Sequence, residues 1–359
     1  MKRKHWFTLL KLALATALIA YVLSKVHFAD YVDSQGEAQS GLFSLVRDMD
    51  LPVFLAGALC YFVAASSSSL RWWWLLRVNG LAVTMLQAFR LTWIGIFFNI
   101  VIPGSTGGDV IKAVYVARLT GKRLRPVLSV LVDRVLGLVA LALLAAIMTL
   151  FLLDEPIFRF VAALLWAGLA GLLLFVLLFL SKRLRRRIGF DRLLQRLPGS
   201  AKWMQFDDAL THYRGHIGGI LVWLVASMLN HFVAVIGVFW IGEALHGVLP
   251  FSRYVVLVPV IQIMTAVPLA PAGFGVGEWG FSFFWPRCGA AFVAGVADPA
   301  AFLRTQGVTL SLVYRLHTIL WSLLGGVFVL FEKGRPTESD AETLLQEAEA
   351  QSVRSHGAD

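Results

Sequence analysis

Long apolar segments dominate this sequence and leave few folds open to it. Several stretches carry the roughly 20 apolar residues that a helix needs to cross the hydrocarbon core of a bilayer. Backbone in hydrocarbon must satisfy its own hydrogen bonds, and apolar runs of this length do so as helices. We therefore predict an all-α, polytopic helical membrane protein with full crossings at 6–26, 51–76, 126–153, 157–181, 217–243 and 305–331.

Composition and charge agree with a membrane protein and argue against other classes. Hydrophobic residues make up 58% of the chain and charged residues only 15%, which excludes an ordinary soluble domain. The net charge of +10 is better explained by cytoplasmic anchoring than by nucleic acid, so no nucleic-acid partner is expected. Cys60 and Cys288 lie far apart in apolar surroundings and indicate neither a disulfide framework nor a metal site. We predict no cofactor, no metal and no catalytic residue.

Two short segments rich in proline and glycine interrupt apolar regions of membrane length. They are FNIVIPGSTGGD at 98–109 and PLAPAGFGVGE at 268–278, and each ends in an acidic residue. Irregular backbone at membrane depth persists only where protein or a watery cavity covers it. The two breaks predict a polar site inside the membrane, although glycines that merely allow close helix packing are the competing interpretation.

The distribution of Lys and Arg predicts how the chain is oriented. Short cytoplasmic loops are enriched in these residues, whereas the loop 28–50 carries five acids and one arginine and is expected outside. Cations flank the first break on both sides, so we predict that 84–118 is a re-entrant hairpin inserted from the cytoplasm. The second region, 254–285, then inserts from the opposite face, against the trend of Arg253, Arg287 and Arg304. Both termini are predicted to be cytoplasmic, in an inner membrane.

Hairpins inserted from opposite faces suit an inverted repeat of the kind that transporters use to build a substrate site. In such sites the N-terminal ends of broken helices present N–H groups to anionic ligand atoms. The candidate substrate-binding residues of the two breaks are Asn99, Pro103, Gly104, Gly107, Gly108, Asp109, Lys112, Gly273, Gly275, Gly277 and Glu278.

Charged residues within the predicted crossings add Asp133, Arg134 and Arg315 to the candidate site. An ionised residue at the bilayer centre costs about 2.5–3.5 kcal/mol on insertion scales and normally faces the protein interior. We hypothesise that Arg134 and Arg315 bind a lipid phosphate, because a guanidinium fork matches phosphate oxygens. Asp109 and Glu278 would hold the hairpins or carry a coupling proton. A purely structural network of ion pairs is the alternative.

Aromatic and histidine residues admit simpler interpretations. The run of three tryptophans at 72–74 beside Arg71 and Arg77 is typical of an interfacial aromatic belt. His231 and His317 are isolated in apolar helices, where ordinary packing is favoured over a proton relay.

Four stretches also carry a family resemblance: WIGIFFNIVIPGSTGGDVIKAVYVAR, SVLVDRVLGL, APAGFGVGE and VYRLHTIL. Together they resemble the lysylphosphatidylglycerol synthase transmembrane region, also called the flippase-like domain family, from about residue 6 to 332. The resemblance implies a lipid-translocating membrane domain. Full-length synthases of that family add a soluble aminoacyltransferase domain, whereas only 28 residues follow Phe331 here. We therefore expect neither the transferase activity nor lysyl-lipid as a necessary substrate.

The sequence thus predicts a membrane domain over 1–332 and a polar, largely disordered cytoplasmic tail over 333–359. A basic helix on the inner leaflet is expected within 182–214. The predicted function is translocation of an anionic or modified phospholipid, or of a lipid-linked intermediate, between leaflets. The alternative is a membrane-embedded enzyme or accessory subunit of lipid or glycolipid modification. Expected partners are membrane lipids, above all anionic phospholipid, and a separate lipid-modifying enzyme is a further candidate.

Overall fold

The computed structural model describes residues 13, 16–33, 36–101, 107–122, 124–180, 213, 215–266 and 273–331. Over these residues the chain is helical apart from short connections and one antiparallel strand pair, in which Tyr31 lies opposite Gln39. The strands are β1 (Tyr31–Val32) and β2 (Ala38–Gln39). In chain order the helices are α1 (16–23), α2 (Leu42–Arg47), α3 (Leu51–Val78), α4 (Met85–Val101), α5 (Gly107–Thr120), α6 (Leu124–Thr149), α7 (Pro156–Leu180), α8 (Ile217–Ala244), α9 (Phe251–Ala266), α10 (Val276–Gly289) and α11 (Pro299–Phe331).

Five helices in the described part of the chain are long and apolar enough to cross a membrane. They are α3, α6 with the 3-10 turn that follows it, α7, α8 and α11. These helices confirm five of the six predicted crossings and the all-α polytopic class. Of the sixth, predicted at 6–26, the structure describes the helix α1, and the residues before 13 lie outside the described ranges. The predicted basic helix of 182–214 and the tail of 333–359 also fall outside them, except for Tyr213.

Polar residues and prolines fix where several of these helices begin. Proline suits the first helical position, because the N–H that it lacks would have no partner there. Pro156 begins α7 and Pro299 begins α11. Before Pro299, the Asp298 side chain accepts a 2.9 Å hydrogen bond from the N–H of Ala301, as an N-cap residue does. This cap starts α11 six residues before the apolar run that predicted the crossing.

Each predicted hairpin contains two short helices, and the residues between them, 102–106 and 267–272, lie outside the described ranges. The helices α4, α5, α9 and α10 have 14 to 17 residues, against the roughly 20 that a full crossing needs. The backbones of α4 and α5 touch, since a Cβ added to Gly108 would overlap the carbonyl of Gly95. This pattern confirms two broken-helix hairpins. Their insertion from opposite faces of the membrane stays a prediction.

The second hairpin pairs antiparallel helices through side chains spread along its length. Near the start of α9 and the end of α10, the rings of Tyr254 and Trp285 meet edge to face with centroids 5.1 Å apart. Near the middle, Gly280 lies against Ile261, where even a methyl group would come within 3.1 Å of that side chain. Both helices contain an internal proline, Pro259 in α9 and Pro286 in α10.

The chain divides into two compact units. Unit 1 comprises Met1–Ser68, Thr92–Asp109 and Leu229–Phe331, and unit 2 comprises Ser69–Leu91, Val110–Met228 and Glu332–Asp359. In unit 1, small residues let helices approach closely, as is common in membranes. Gly325 of α11 lies against the backbone of Trp93 in α4, so that a side chain there would overlap it.

His317 lies within the aromatic core of unit 1. Its ring is buried and meets those of Tyr61 and Phe54 edge to face, with centroids 5.2 and 6.3 Å away. The Tyr314 ring is 5.0 Å from it. These contacts agree with the interpretation of His317 as a packing residue.

In unit 2 the predicted interfacial belt is wrong for Trp72, whereas Trp73 and Trp74 are partly exposed. Trp72 is fully buried, and its indole N–H donates a 3.3 Å hydrogen bond to Ser129 of α6. The Trp73 indole N–H donates to the carbonyl of Val83, and Trp74 packs 6.3 Å from the ring of Trp223. Consecutive helical residues point about 100° apart, so three adjacent indoles face three different surroundings.

Candidate functional site

Unit 1 contains a cavity of about 180 Å³ among helices α8, α9, α10 and α11. Its apolar walls come from valine, isoleucine and phenylalanine side chains. Its polar lining consists of six residues on α9 and α11: Gln262, Thr265, Ser311, Tyr314, Arg315 and Thr318. A cavity that combines apolar walls with a few polar groups is the usual form of a small-ligand site.

Helical spacing explains why these polar residues share one space. On α11 the lining positions are three or four residues apart, so they form one stripe along the helix. The hydroxyls of Thr265 and Thr318 donate hydrogen bonds of 2.8 and 2.7 Å to carbonyls of their own helices. Their protons are thereby satisfied within apolar surroundings, while their oxygens keep lone pairs that can accept from a ligand.

The turn into α10 requires glycine at two positions. Gly273 and Gly275 have φ values of 69° and 80°, in the left-handed region that side chains other than hydrogen disfavour. Gly275 is the N-cap residue of α10, and its N–H donates a 2.8 Å hydrogen bond to the Glu278 carboxylate. The Gly-x-Gly-x-Gly-Glu pattern is therefore the start of a helix, capped by the carboxylate of its own glutamate.

Glu278 also forms a two-point ion pair with Arg315 of α11. The guanidinium donates from Nε to one carboxylate oxygen at 2.5 Å and from Nη2 to the other at 3.1 Å. Nη2 also donates to the carbonyl of Gly273 at 3.3 Å, and the guanidinium carbon lies 4.1 Å from the centre of the Phe274 ring. The side chain of Glu278 is 3% exposed and that of Arg315 is 19% exposed.

This pair brings a cation to the cavity wall without leaving a net charge in the protein interior. An unpaired buried charge is strongly destabilising, whereas a pair with good geometry is tolerated. Gly277 adjoins the guanidinium, and a Cβ added there would lie in van der Waals contact with Nη2, at 3.4 Å. A guanidinium on a cavity wall can bind the oxygens of a phosphate or carboxylate. Within the described residues, no three His, Cys, Asp or Glu side chains come together to hold a metal.

At the first break, the side chain of Asn99 caps the start of α5. The amide oxygen of Asn99 accepts a 2.9 Å hydrogen bond from the N–H of Gly108, in the first turn of that helix. Gly107 begins the helix, and Asp109 is the acid of its first turn, where a negative charge is favourable. Pro103 and Gly104 lie outside the described residues. None of the described residues of this hairpin lines the cavity.

We expect Gly108→Ala to destabilise the first hairpin, because the added methyl group would overlap the Gly95 carbonyl. Overpacking of this kind costs about 1–3 kcal/mol. The measurement is the thermal unfolding midpoint of the purified protein in one detergent. Gly168→Ala in α7 is the matched control, since nothing lies within 4 Å of its added methyl group. A Gly108→Ala protein as stable as this control would contradict the close approach.

Unit 2 contains a second buried ion pair, and it involves a residue that the sequence did not nominate. Arg71 of α3 donates from Nε to Asp133 of α6 at 2.7 Å and from Nη1 to Ser227 of α8 at 2.8 Å. Arg71 lies seven residues before the end of α3, which is about 10 Å along the axis. This distance from the helix end is the sequence signal that could have distinguished Arg71 from a residue at the membrane surface.

The remaining candidates of unit 2 are Lys112 and Arg134. Lys112 is buried on α5, with its ammonium nitrogen 4.1 Å from the centre of the Trp72 ring, a cation–π contact. Arg134 follows Asp133 on α6 and is half-buried. The structure therefore brings Gly273, Gly275, Gly277, Glu278 and Arg315 together around one cavity wall. Asn99 and Gly108 form the cap of the first hairpin.

Comparison with known proteins identifies the family. The model of the lysylphosphatidylglycerol synthase TM region matches residues 8–326. No curated protein and no solved structure matches the chain. Since the match covers most of a multi-pass helical chain, the protein belongs to the lysylphosphatidylglycerol synthase transmembrane-region family, a group of membrane proteins of the lipid-modification or lipid-translocation type.

Proposed function

We propose that this protein translocates an anionic or modified phospholipid, or a lipid-linked intermediate, between the leaflets of the membrane. The observation that carries the proposal is the cavity of unit 1, where Arg315 and five neutral polar residues line a space among apolar helices. A cavity with polar lining among apolar helices suits a lipid headgroup that must pass through hydrocarbon.

The size of the cavity favours a headgroup over a whole lipid. Its volume of about 180 Å³ is below the roughly 300–1,000 Å³ of pockets that enclose drug-sized ligands. The acyl chains would then stay in the surrounding bilayer, whose hydrocarbon already suits them. The guanidinium of Arg315 would bind the phosphate, and Ser311 and Thr318 offer hydroxyl oxygens nearby.

Glu278 would keep the empty site neutral and release the guanidinium when a phosphate arrives. With no ligand, its carboxylate engages Arg315 through two hydrogen bonds. A phosphate that takes over one of these donors would replace one of the two hydrogen bonds between Glu278 and Arg315. Arg134 is also proposed to bind a lipid phosphate, within unit 2, and Asp109 is proposed to hold the start of α5.

The orientation we propose follows the charges of the sequence. Both termini face the cytoplasm, the loop 28–50 faces outward, and the two hairpins insert from opposite sides of an inner membrane. The five acids of 28–50 and the nine Lys and Arg residues of 182–214 support this orientation. The expected ligand is an anionic phospholipid, and a separate lipid-modifying enzyme is a candidate partner.

Reconstitution into liposomes that contain fluorescent phospholipids tests the proposal. We expect the label to exchange between leaflets faster than in protein-free liposomes, with the lipid chemically unchanged on chromatography. Exchange should be faster for an anionic lipid than for a neutral one. A changed headgroup would indicate a lipid-modifying enzyme instead, and exchange no faster than in protein-free liposomes would refute the transport function.

A further inference from the structure

One end of unit 2 carries exposed cations from three helices and one loop. We call this surface the basic rim and define it by Arg77, Arg90, Lys122 and Arg125, all of which are exposed. Arg77 lies one residue before the end of α3, Arg90 in the second turn of α4, and Arg125 at the start of α6. By the charge distribution of the sequence, this end faces the cytoplasm.

Hydrogen bonds hold two of these cations against the loop that follows α3. The Lys122 ammonium donates to the carbonyl of Gly80 at 2.9 Å, and Arg125 donates from Nη1 to the carbonyl of Asn79 at 3.2 Å. The guanidinium carbon of Arg77 lies 5.3 Å from the centre of the Trp73 ring. The loop before α6 and the loop after α3 thus form one surface, and the cations have fixed places on it.

No carboxylate of the described part of unit 2 lies at this end. Its acids are Asp133, Asp154 and Glu155, and Asp133 is paired with Arg71 inside the helices. Asp154 and Glu155 follow the far end of α6, whose 26 residues span about 39 Å. That separation exceeds the Debye length of about 8 Å at physiological salt, so these two acids do not neutralise the basic rim.

Exposed apolar side chains accompany the cations of the basic rim. Met85 and Leu86 begin α4, and Leu124 and Val127 belong to the first turn of α6, and between 39% and 58% of the surface of each is exposed. Cations beside exposed apolar residues at the end of a crossing are typical of a surface that contacts lipid headgroups and the first part of the acyl chains.

We propose that the basic rim is a docking surface for anionic phospholipids of the adjoining leaflet. Headgroup phosphates contact its cations, and acyl chains contact Met85, Leu86 and Leu124. This site shares no residue with the cavity of unit 1, and it does not depend on the transport function. The chain's own acidic segment 333–359, with six acids and three Lys or Arg residues, matches the charge of the basic rim but not its apolar residues.

The test titrates phosphatidylglycerol, and separately phosphatidylcholine, into the full chain in a neutral detergent and counts bound lipid by native mass spectrometry. Wild type is expected to bind phosphatidylglycerol more tightly, and more weakly as salt rises. Each cation near an anionic surface contributes roughly a factor of five, so Arg77→Gln/Arg90→Gln/Lys122→Gln should weaken this binding on the order of 100-fold. The matched variant Arg77→Lys/Arg90→Lys keeps the charges and should bind like wild type.

Three outcomes would overturn the proposal. The first is equal affinity of wild type for the two lipids, and the second is undiminished phosphatidylglycerol binding by the triple variant. The third is preference for phosphatidylglycerol only in a chain shortened to residue 332, which would mean that the acidic segment occupies the basic rim. The salt dependence of wild type tests the proposal even if the triple variant fails to fold. Since the readout is binding, a failure of leaflet exchange would leave this result intact.

Discussion

Arg315→Gln is expected to slow leaflet exchange by about 100-fold or more, the largest functional effect that the structure predicts. Truncating one member of a buried, hydrogen-bonded charge pair at a binding site costs about 2–5 kcal/mol. Among the described residues, Arg315 is the charged one that lines the cavity, and the glutamine that replaces it offers a phosphate neither charge nor a fork of donors. Exchange of a fluorescent anionic phospholipid in liposomes is the measurement.

This variant alone cannot separate lost binding from lost stability. Without Arg315, the Glu278 carboxylate is 3% exposed and has lost its cation, which destabilises the fold by about 3–5 kcal/mol. The double variant Arg315→Gln/Glu278→Gln removes both charges, and a glutamine at 278 can still accept from the N–H of Gly275. We expect the double variant to regain thermal stability and still fail to exchange lipid.

Two further variants complete the experiment. Arg315→Lys keeps the charge and loses the planar fork, so its exchange rate should lie between those of wild type and Arg315→Gln. Arg304→Gln removes an arginine from the same helix that does not line the cavity, and it should exchange at the wild-type rate. A stable double variant that exchanges lipid as fast as wild type would contradict the role of Arg315.

An equally large effect on stability is expected at the ion pair of unit 2. Arg71→Met alone and Asp133→Leu alone should each cost about 3–5 kcal/mol, because each leaves one buried charge uncompensated. The double variant Arg71→Met/Asp133→Leu should be close to wild type or more stable, since apolar residues then replace both charges. Ser227 keeps a partner in every case, because its hydroxyl donates to the carbonyl of Trp223 at 2.6 Å.

Thermal unfolding of the four proteins in one detergent gives the coupling free energy of the pair as a double-mutant cycle. Arg77→Met is the matched control, because it removes an exposed arginine from the same helix and should change stability by no more than about 0.5 kcal/mol. If the effects of the two single replacements simply add in the double variant, Arg71 and Asp133 do not form the pair described above.

The crossings and the hairpins could be predicted because they depend on properties that are local in sequence. Apolar length marks the crossings at 51–76 and 217–243, and proline with glycine marks both breaks. The start of α11 was placed too late because the charged Arg304 separates the first turn of the helix, capped by Asp298, from the apolar run that marks the crossing. A short-range cap of this kind has a sequence signal, but it lies outside the apolar run.

The pairing of charges could not be predicted, because it joins residues far apart in the chain. Asp133 was grouped with Arg134, yet consecutive residues on a helix point about 100° apart, and its partner is Arg71, 62 residues away. Glu278 and Arg315 were both nominated as site residues, but their direct contact joins positions 37 residues apart. Only the packing of the helices decides which charges meet.

The uncharged polar residues of the cavity lining were not nominated from the sequence, for a different reason. Gln262, Thr265, Ser311 and Thr318 are ordinary residues of membrane helices, where hydroxyls commonly bond to their own backbone. Thr265 and Thr318 do so here and still line the cavity. Their sequence environment therefore carries no sign of a ligand, and the space around them arises from three-dimensional packing.

The Glu278 carboxylate contacts both the start of α10 and the guanidinium at the cavity wall, so it links the two. One oxygen, Oε2, both accepts from the N–H of Gly275 and contacts Nη2 of Arg315. A ligand that draws the guanidinium away therefore also removes a contact from the oxygen that caps the first turn of α10. In the proposed function, a headgroup bound at Arg315 would therefore alter the contacts of the first turn of α10 as well as those of the cavity wall.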